Sequence, residues 1–183
     1  RKDHPEDVRQ GEYDDCKVAK VNMMDFRVGD ETTSWFQDAF SLVQQFNAEG
    51  GYRLYPEQAG VPEKVNAGSK VTLTHRWKNL GWGYFPNNLP QWNYRYKVAF
   101  ALLDGNGKAV QVTVDDKCEP SGWVNAKSFD YKTDFTVNAT AGEYTWAVAI
   151  VNTENGDKPA IQLAARGELS ADGWLEIAKV TVK

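Results

Sequence analysis

Metal-binding and thiol residues are scarce in this sequence. Its 183 residues include two cysteines, two histidines and two methionines. Cys16, Cys118, His4 and His75 each stand apart, so the paired spacing of a tetrahedral zinc site is absent. The two cysteines could form a disulfide or remain separate thiols, and separate thiols are slightly favoured because nothing fixes their separation in space. The sequence therefore predicts no metal centre and no bound cofactor.

Long apolar runs and excess positive charge are also missing. No window approaches ~18 consecutive apolar residues, so we expect no membrane-spanning helix. Residues 1–10 are polar and lack the apolar segment of a signal peptide. The formal net charge of -4 and the sequence pI of about 5.3 disfavour contact with phosphate backbones and anionic lipid surfaces. We expect neither nucleic acid nor a membrane among the partners.

Catalytic motifs are equally scarce. The sequence contains no nucleophile elbow, no phosphate-binding loop and no cysteine–histidine pairing context. His75 stands beside Trp77 in a strand-like segment, which favours a structural role. Glycosidases use a pair of carboxylates, but nothing fixes the separation of the acidic residues available here. These are Asp115, Asp116, Glu119, Asp130 and Asp134. We therefore expect a non-catalytic protein.

The first fifty residues contain one clear helical pattern. Residues 1–16 are charged and poor in apolar groups, which is typical of a loosely held leader. Ser34 and Gln37 have the spacing of a capping box, and apolar residues then recur with helical period. Gly50–Gly51 should end this helix. The pattern predicts a helix over residues 34–47 whose wide apolar face packs against another part of the protein.

Short strands predominate in the rest of the chain. The candidates are rich in β-branched and aromatic residues, and turn segments such as Asp104–Gly107 separate them. They are Tyr52–Pro56, Lys70–Trp77, Asn93–Leu103, Ala109–Val114, Ser128–Val137, Gly142–Val151, Ala160–Ala164 and Leu175–Val182. The strand Gly142–Val151 is apolar or small on both faces, so we expect it to be central.

These patterns predict a mainly β protein. Many short strands with no helices between them are typical of an antiparallel β-sandwich, here with one N-terminal helix packed against it. The chain divides into a leader and helix over residues 1–50 and a sandwich over residues 51–183.

Aromatic residues make up 13% of the chain, with seven tryptophans and eight tyrosines. Trp35, Trp77, Trp146 and Trp174 fall on the helix or in apolar strands and are assigned to the core. Other aromatics lie in segments with Gly, Pro and Asn turn chemistry, where the sheets cannot cover all of them. The candidate site residues are Trp82, Tyr84, Asn87, Asn88, Gln91, Trp92 and Tyr94, with Trp123 from a second loop.

These residue types suit a flat carbohydrate ligand. Sugar rings present C–H faces that stack on indole and phenol rings, while amide side chains meet the hydroxyl groups. The same rings could instead seal the end of the sandwich or dock on a neighbouring domain, and for Trp123 the alternatives are equally supported. The alternation of Trp92, Tyr94 and Tyr96 predicts that all three lie on one face of a strand.

Hard oxygen ligands for calcium are present at Asp104, Asn106 and Asp157. All three lie in turn segments, and turn formation explains these residue types equally well. We favour the turns, and a structural calcium ion stays an alternative.

Several motifs together resemble a known family of accessory domains. They are Gly51–Leu54, His75–Gly83, Ala141–Trp146, Pro159–Ala164 and Asp172–Trp174. In order and spacing they resemble the C-terminal immunoglobulin-like β-sandwich attached to the catalytic barrel of bacterial glycoside hydrolases. The resemblance implies an immunoglobulin-like fold, an accessory or carbohydrate-binding role, and a helix that lies between barrel and sandwich. It supplies no binding residues.

The favoured interpretation is a secreted or cell-surface carbohydrate-binding module. It would hold a plant-type polysaccharide by aromatic stacking and would work beside a catalytic glycoside hydrolase domain. The alternative is a structural accessory sandwich that docks on the catalytic barrel without a ligand of its own. A small glycan-cleaving enzyme is the least favoured interpretation.

Overall fold

Three helices form the N-terminal part of the chain in the computed structural model, which describes residues 5–183. α1 spans Pro5–Val18, α2 spans Asp30–Gln37 and α3 spans Phe40–Glu49. The expected leader is therefore helical from Pro5, while its first four residues, His4 included, lie outside the described residues. Within residues 5–183, no helix has the length and apolar character needed to cross a membrane.

The single helix predicted over residues 34–47 is two helices. They meet at Asp38 and Ala39, and Ala39 has a non-helical φ of -132°. The break lets both helices direct apolar side chains into one cluster. Its buried members are Tyr13, Trp35, Ala39, Leu42 and Val43. Gly50–Gly51 ends α3 as predicted, because Gly51 adopts a left-handed φ of 69° that other residues disfavour.

Nine strands form two sheets within residues 5–183. They are β1 Leu54–Gly60, β2 Lys64–Val65, β3 Lys70–Asn79, β4 Tyr96–Leu103, β5 Ala109–Val114, β6 Ser128–Thr136, β7 Gly142–Asn152, β8 Lys158–Ile161 and β9 Leu175–Val182. The smaller sheet is antiparallel with the order β1–β3–β6. The larger has the order β2–β9–β7–β4–β5, with β8 also on β7 and a parallel β2–β9 pair. The predicted mainly β, immunoglobulin-like sandwich is confirmed.

The inner faces of the two sheets meet in an apolar core. Along β3, Leu73, His75 and Trp77 are buried while the residues between them are half-buried or exposed, as expected for a strand with one covered face. Phe135 of β6 contacts Trp146 of β7 edge to face, with ring centroids 4.8 Å apart. β7 lies between β4, β8 and β9 and is buried along most of its length, so the predicted central position is confirmed.

Small residues allow the opposite face of the larger sheet to be covered as well. β4 and β7 contribute alanines to this face, and the indole ring of Trp174 completes a second buried cluster with them. All four tryptophans assigned to the core from the sequence are buried: Trp35, Trp77, Trp146 and Trp174.

Trp82 joins the helices to the sandwich. Its Nε1 donates a hydrogen bond to the carbonyl of Val21 at 3.0 Å, and its ring contacts the rings of Tyr13 and Phe46 at centroid distances of 5.1 and 5.6 Å. The glycines on either side of Trp82 have no room for a Cβ atom, because the backbone of Gly51 lies against both. The ring predicted to face a ligand therefore serves mainly as an internal contact.

Replacing Trp82 with alanine should loosen the three helices. The loss of a large, half-buried ring should lower the free energy of unfolding by about 3 kcal/mol, measured by urea denaturation. Limited proteolysis should then cut residues 5–49 faster than the strands. Val28→Ala, at a side chain that is 85% exposed, is the control and should change stability by less than about 0.5 kcal/mol. Equal protection of the helices in both variants would contradict this role of Trp82.

Candidate functional site

The loop between β3 and β4 holds most of the predicted site residues. It is a series of tight turns rather than an irregular segment. The backbone N–H groups of Leu89, Trp92 and Arg95 each donate to the carbonyl three residues earlier, at 2.9 to 3.1 Å. These hydrogen bonds fix the backbone of the loop and thereby the directions in which its side chains point.

Asn87 anchors this loop from inside. Its Oδ1 accepts a hydrogen bond from the Tyr96 N–H at 3.0 Å, and its Nδ2 donates to the Tyr96 carbonyl at 2.8 Å and to the Glu119 carboxylate at 2.9 Å. The side chain is fully buried. The expectation that Asn87 contributes to an exposed site is wrong, because these internal contacts use its hydrogen-bonding groups.

Glu119 completes the anchor. Its carboxylate also accepts hydrogen bonds from the Ser121 N–H at 3.1 Å and from the Lys97 ammonium at 3.0 Å. Burial acts to raise the pKa of Glu119, but the hydrogen bonds from Asn87, Ser121 and Lys97 outweigh burial and lower that pKa. No local sequence pattern marks this contact, because Asn87 and Glu119 are 32 positions apart and lie in different loops.

Tyr94 projects from the loop into solvent. Its side chain is 49% exposed, and Lys97 places its ammonium 5.8 Å from the ring centroid. Asn93 and Tyr94 have left-handed φ values of 45° and 57°, a conformation that costs about 1–2 kcal/mol for a residue other than glycine. The hydrogen bond from the Tyr94 N–H to the Asn87 carbonyl, at 2.8 Å, helps to hold the backbone in this conformation.

We call residues Asn88–Tyr94 the Tyr94 loop. Its exposed polar and aromatic members are Asn88, Gln91, Asn93 and Tyr94. Trp92 is half-buried, since the rings of Phe85 and Tyr96 contact it at centroid distances of 5.2 and 5.1 Å. The prediction that Trp92, Tyr94 and Tyr96 share one strand face is wrong, because β4 begins only at Tyr96 and the left-handed pair interrupts the extended backbone.

The other predicted aromatic residues make internal contacts. Trp123 is fully buried, stacks on Trp77 with centroids 5.0 Å apart, and donates from Nε1 to the Tyr131 hydroxyl at 2.8 Å. Of the two interpretations of Trp123, the one in which it closes the sandwich is therefore correct. Tyr84 is half-buried, and its carbonyl accepts a hydrogen bond from Asn22 at 3.0 Å. The structure gathers four predicted site residues in the Tyr94 loop: Asn88, Gln91, Trp92 and Tyr94.

A buried polar cluster lies on the inner face of the smaller sheet. His75 Nε2 is 3.0 Å from Asp115 Oδ2 and 2.9 Å from Thr133 Oγ1, while Trp77 Nε1 is 2.7 Å from His75 Nδ1. An indole N–H can only donate, so Nδ1 is the acceptor and the neutral imidazole carries its proton on Nε2. The sequence interpretation of His75 as a structural residue agrees with this arrangement.

The same cluster brings together three types of metal ligand. His75, Asp115 and Cys118 each have a potential ligand atom within 4.8 Å of the others. A metal at His75 Nε2 would need the lone pair that the proton occupies in this tautomer. Burial also raises the pKa of Cys118 and disfavours the thiolate. These residues therefore fit a hydrogen-bonded core better than a metal centre. Cys118 and the half-buried Cys16 are both free thiols, as the sequence favoured.

The residues considered for calcium form turns. Asp104 Oδ1 accepts hydrogen bonds from the backbone N–H groups of Asn106 and Lys108, at 2.8 and 3.0 Å, within the β4–β5 hairpin. Asp157 follows Gly156 in a turn where both residues have left-handed φ values. The Asp104 carboxylate thus serves the hairpin turn.

Comparison with known proteins finds distant likenesses among solved structures. No protein-family model and no curated protein matches the chain. The CARDB domain of the PF1109 protein from Pyrococcus furiosus, in complex with di-metal ions, is 14% identical with a TM-score of 0.40, over 72% of this chain and 93% of that chain. The C-terminal domain of wzt is 9% identical with a TM-score of 0.39, and the match covers 73% of this chain and 71% of that chain. A β-glucosidase from Listeria innocua in complex with isofagomine is 10% identical with a TM-score of 0.38, and the match covers 72% of this chain and 16% of that chain.

Asp115→Asn should lower the free energy of unfolding at neutral pH. It should also make that free energy depend less on pH in the acidic range. Burial acts to raise the pKa of Asp115, but hydrogen bonds from His75, Thr133 and the Lys117 N–H outweigh burial and hold that pKa below its ordinary value of 3.8. Because the folded pKa is the lower one, the carboxylate stabilises the fold fully above about pH 4 and loses this effect as pH falls through the folded pKa.

Urea denaturation measures this effect. At about pH 7, Asp115→Asn should lower the free energy of unfolding by about 2 kcal/mol, while the control Asp116→Asn, at an exposed neighbour, should change it little. The difference between wild type and Asp115→Asn should shrink below about pH 4. An equal difference at both pH values would show that the carboxylate charge does not stabilise the cluster.

Proposed function

We propose that this chain is a non-catalytic carbohydrate-binding domain that holds sugar rings on the Tyr94 loop. The observation that supports the proposal is the half-exposed Tyr94 ring, which a strained and hydrogen-bonded loop presents beside exposed amide side chains. In this proposal the domain acts outside the cell and beside a glycoside hydrolase, the setting implied by the accessory-domain resemblance. Its ligand is a plant-type polysaccharide.

The ring and the amides have complementary tasks. The Tyr94 ring offers an apolar surface for the C–H face of a sugar, and the half-buried Trp92 extends apolar surface at the loop. Asn88 and Gln91 can donate to and accept from sugar hydroxyls, since each amide has both kinds of group. Because Asn87 and Glu119 already hold the loop, little backbone freedom remains to be lost on binding. The surface is shallow, so each site should bind weakly.

A second candidate function has an observation of its own. Many of the most exposed large apolar side chains lie on or between the helices: Val18, Met23, Val28, Phe36 and Phe40. The rings of Phe26, Phe36 and Phe40 form a continuous row, with neighbouring centroids 5.7 and 6.0 Å apart. Contiguous exposed apolar surface commonly marks an interaction site. This exposed row of rings favours the alternative function, in which an accessory sandwich docks on a catalytic barrel through its helices.

Affinity electrophoresis tests the carbohydrate proposal. The protein is run in native gels that contain different neutral β-linked glycans, and at least one should retard it. Tyr94→Ala should weaken the retardation severalfold, since it removes an aromatic stacking contact worth about 1 kcal/mol. Isothermal titration with an oligosaccharide of the retarding glycan should show the same decrease.

The control is Val110→Ala. Val110 is 49% exposed, like Tyr94, but lies on β5. This variant should be retarded as strongly as the wild type. If no glycan retards the wild-type protein, or if both variants bind equally well, the Tyr94 loop is not a sugar site and docking through the helices becomes the favoured function.

A further inference from the structure

A groove of about 500 Å³ lies on the outer face of the smaller sheet, away from the Tyr94 loop in sequence. The polar side chains that line it come from three strands. They are Gln58 of β1, Thr74 and Arg76 of β3, and Asp130 and Lys132 of β6. The face is open in the described residues, because the side chains that alternate toward it on β6 are all exposed.

The strand register explains why these side chains meet. Thr74 pairs with Lys132, and Arg76 pairs with Asp130 across the β3–β6 ladder. Gln58 pairs with Arg76 on the other side of β3. Residues opposite one another on neighbouring strands point to the same face, so the groove is a continuous row of polar groups.

Most charges on this face are compensated. Lys70 pairs with Asp134 at 2.6 Å, and Lys78 pairs with Glu57 at 3.0 Å. Arg76 donates two hydrogen bonds to the Asp130 carboxylate, from Nε at 2.7 Å and from Nη2 at 3.3 Å.

Lys132 is the exception. Within the described chain its ammonium makes no ion pair and no hydrogen bond, and its exposed side chain is on the residue that pairs with Thr74 in the ladder. The groove therefore contains one uncompensated positive charge, in a protein whose net charge is -4. An anionic group bound there would gain the attraction of Lys132 without displacing an existing ion pair.

We infer that this groove is a second binding site, for a sugar that carries a carboxylate. Lys132 pairs with the carboxylate, while the Thr74 hydroxyl, the Gln58 amide and the remaining guanidinium N–H groups of Arg76 meet hydroxyls of the sugar. The inference rests on the proposed function only for the carbohydrate nature of the ligand. The binding surface and the recognised charge are different from those of the Tyr94 loop.

Polygalacturonate is the probe, in native gels of moderate ionic strength. The gels should retard the wild-type protein, and Lys132→Glu should abolish that retardation. Isothermal titration with oligogalacturonate should show binding weakened about fivefold in Lys132→Ala, as expected for loss of one partly exposed ion pair. Added salt should weaken wild-type binding, because it screens the same attraction. Thermal unfolding should show that both variants are folded.

Lys158→Glu is the matched control, since it changes the net charge equally at an exposed residue of β8. This variant and Tyr94→Ala should both be retarded by polygalacturonate like the wild type. The inference is overturned if polygalacturonate does not retard the wild type, if Lys132→Glu is retarded equally, or if Lys158→Glu or Tyr94→Ala loses retardation as well. Retardation by polygalacturonate without retardation by any neutral glycan would support the groove and reject the Tyr94 loop.

Discussion

Aromatic rings packed between the two sheets hold this sandwich together. Trp77 of the smaller sheet stacks on Trp123, and Trp146 of the larger sheet meets Phe135 edge to face. The indole N–H groups of Trp77, Trp123 and Trp146 donate to His75 Nδ1, the Tyr131 hydroxyl and the Pro62 carbonyl, respectively. Because each N–H has a partner, the core can bury large rings without leaving an uncompensated donor. The polar cluster around His75 and Asp115 is thus part of the core packing.

This packing decides how many rings remain for a ligand. Trp123 closes the sandwich and Trp82 joins it to the helices, so two of the rings expected at a binding surface are used inside the molecule. Tyr94 is 49% exposed and lies in a loop that contains two left-handed residues, Asn93 and Tyr94 itself. A carbohydrate site here would be small, with one main ring and several amides. Such a site suits the proposed recognition of a sugar surface.

The two surfaces proposed for ligands are built differently. The Tyr94 loop owes its shape to buried hydrogen bonds, since Asn87 and Glu119 fix the backbone that presents the ring. The groove on the smaller sheet is distinguished by its charge. Among the cations of that face, Lys132 alone has no ion-pair partner among the described residues. A neutral polysaccharide suits the first surface and an acidic one suits the second. The two proposals therefore make separate demands on the ligand.

The sequence alone determined those features that depend on near neighbours. Alternation and turn chemistry predicted the bounds of β5 and β9, the central position of β7, and the end of α3 at Gly50–Gly51. Strand period and turn preference are set by residues two to four positions apart, so a single sequence carries them. The abundance of aromatic residues also predicted a ring-rich site in the loop before β4, where Tyr94 is exposed.

Only the tertiary structure decided which of those rings reach solvent. α1 was expected to be a loosely held leader, yet Tyr13 packs on Trp82 and Lys17 pairs with Glu49 at 3.1 Å. Asn87 is buried because Glu119, from a different loop, accepts its hydrogen bond, and Lys132 is uncompensated because the register gives it a threonine as its neighbour. Each of these outcomes depends on residues about 30 or more positions apart. Local sequence carries no record of such contacts, because they form only when the sheets and helices pack.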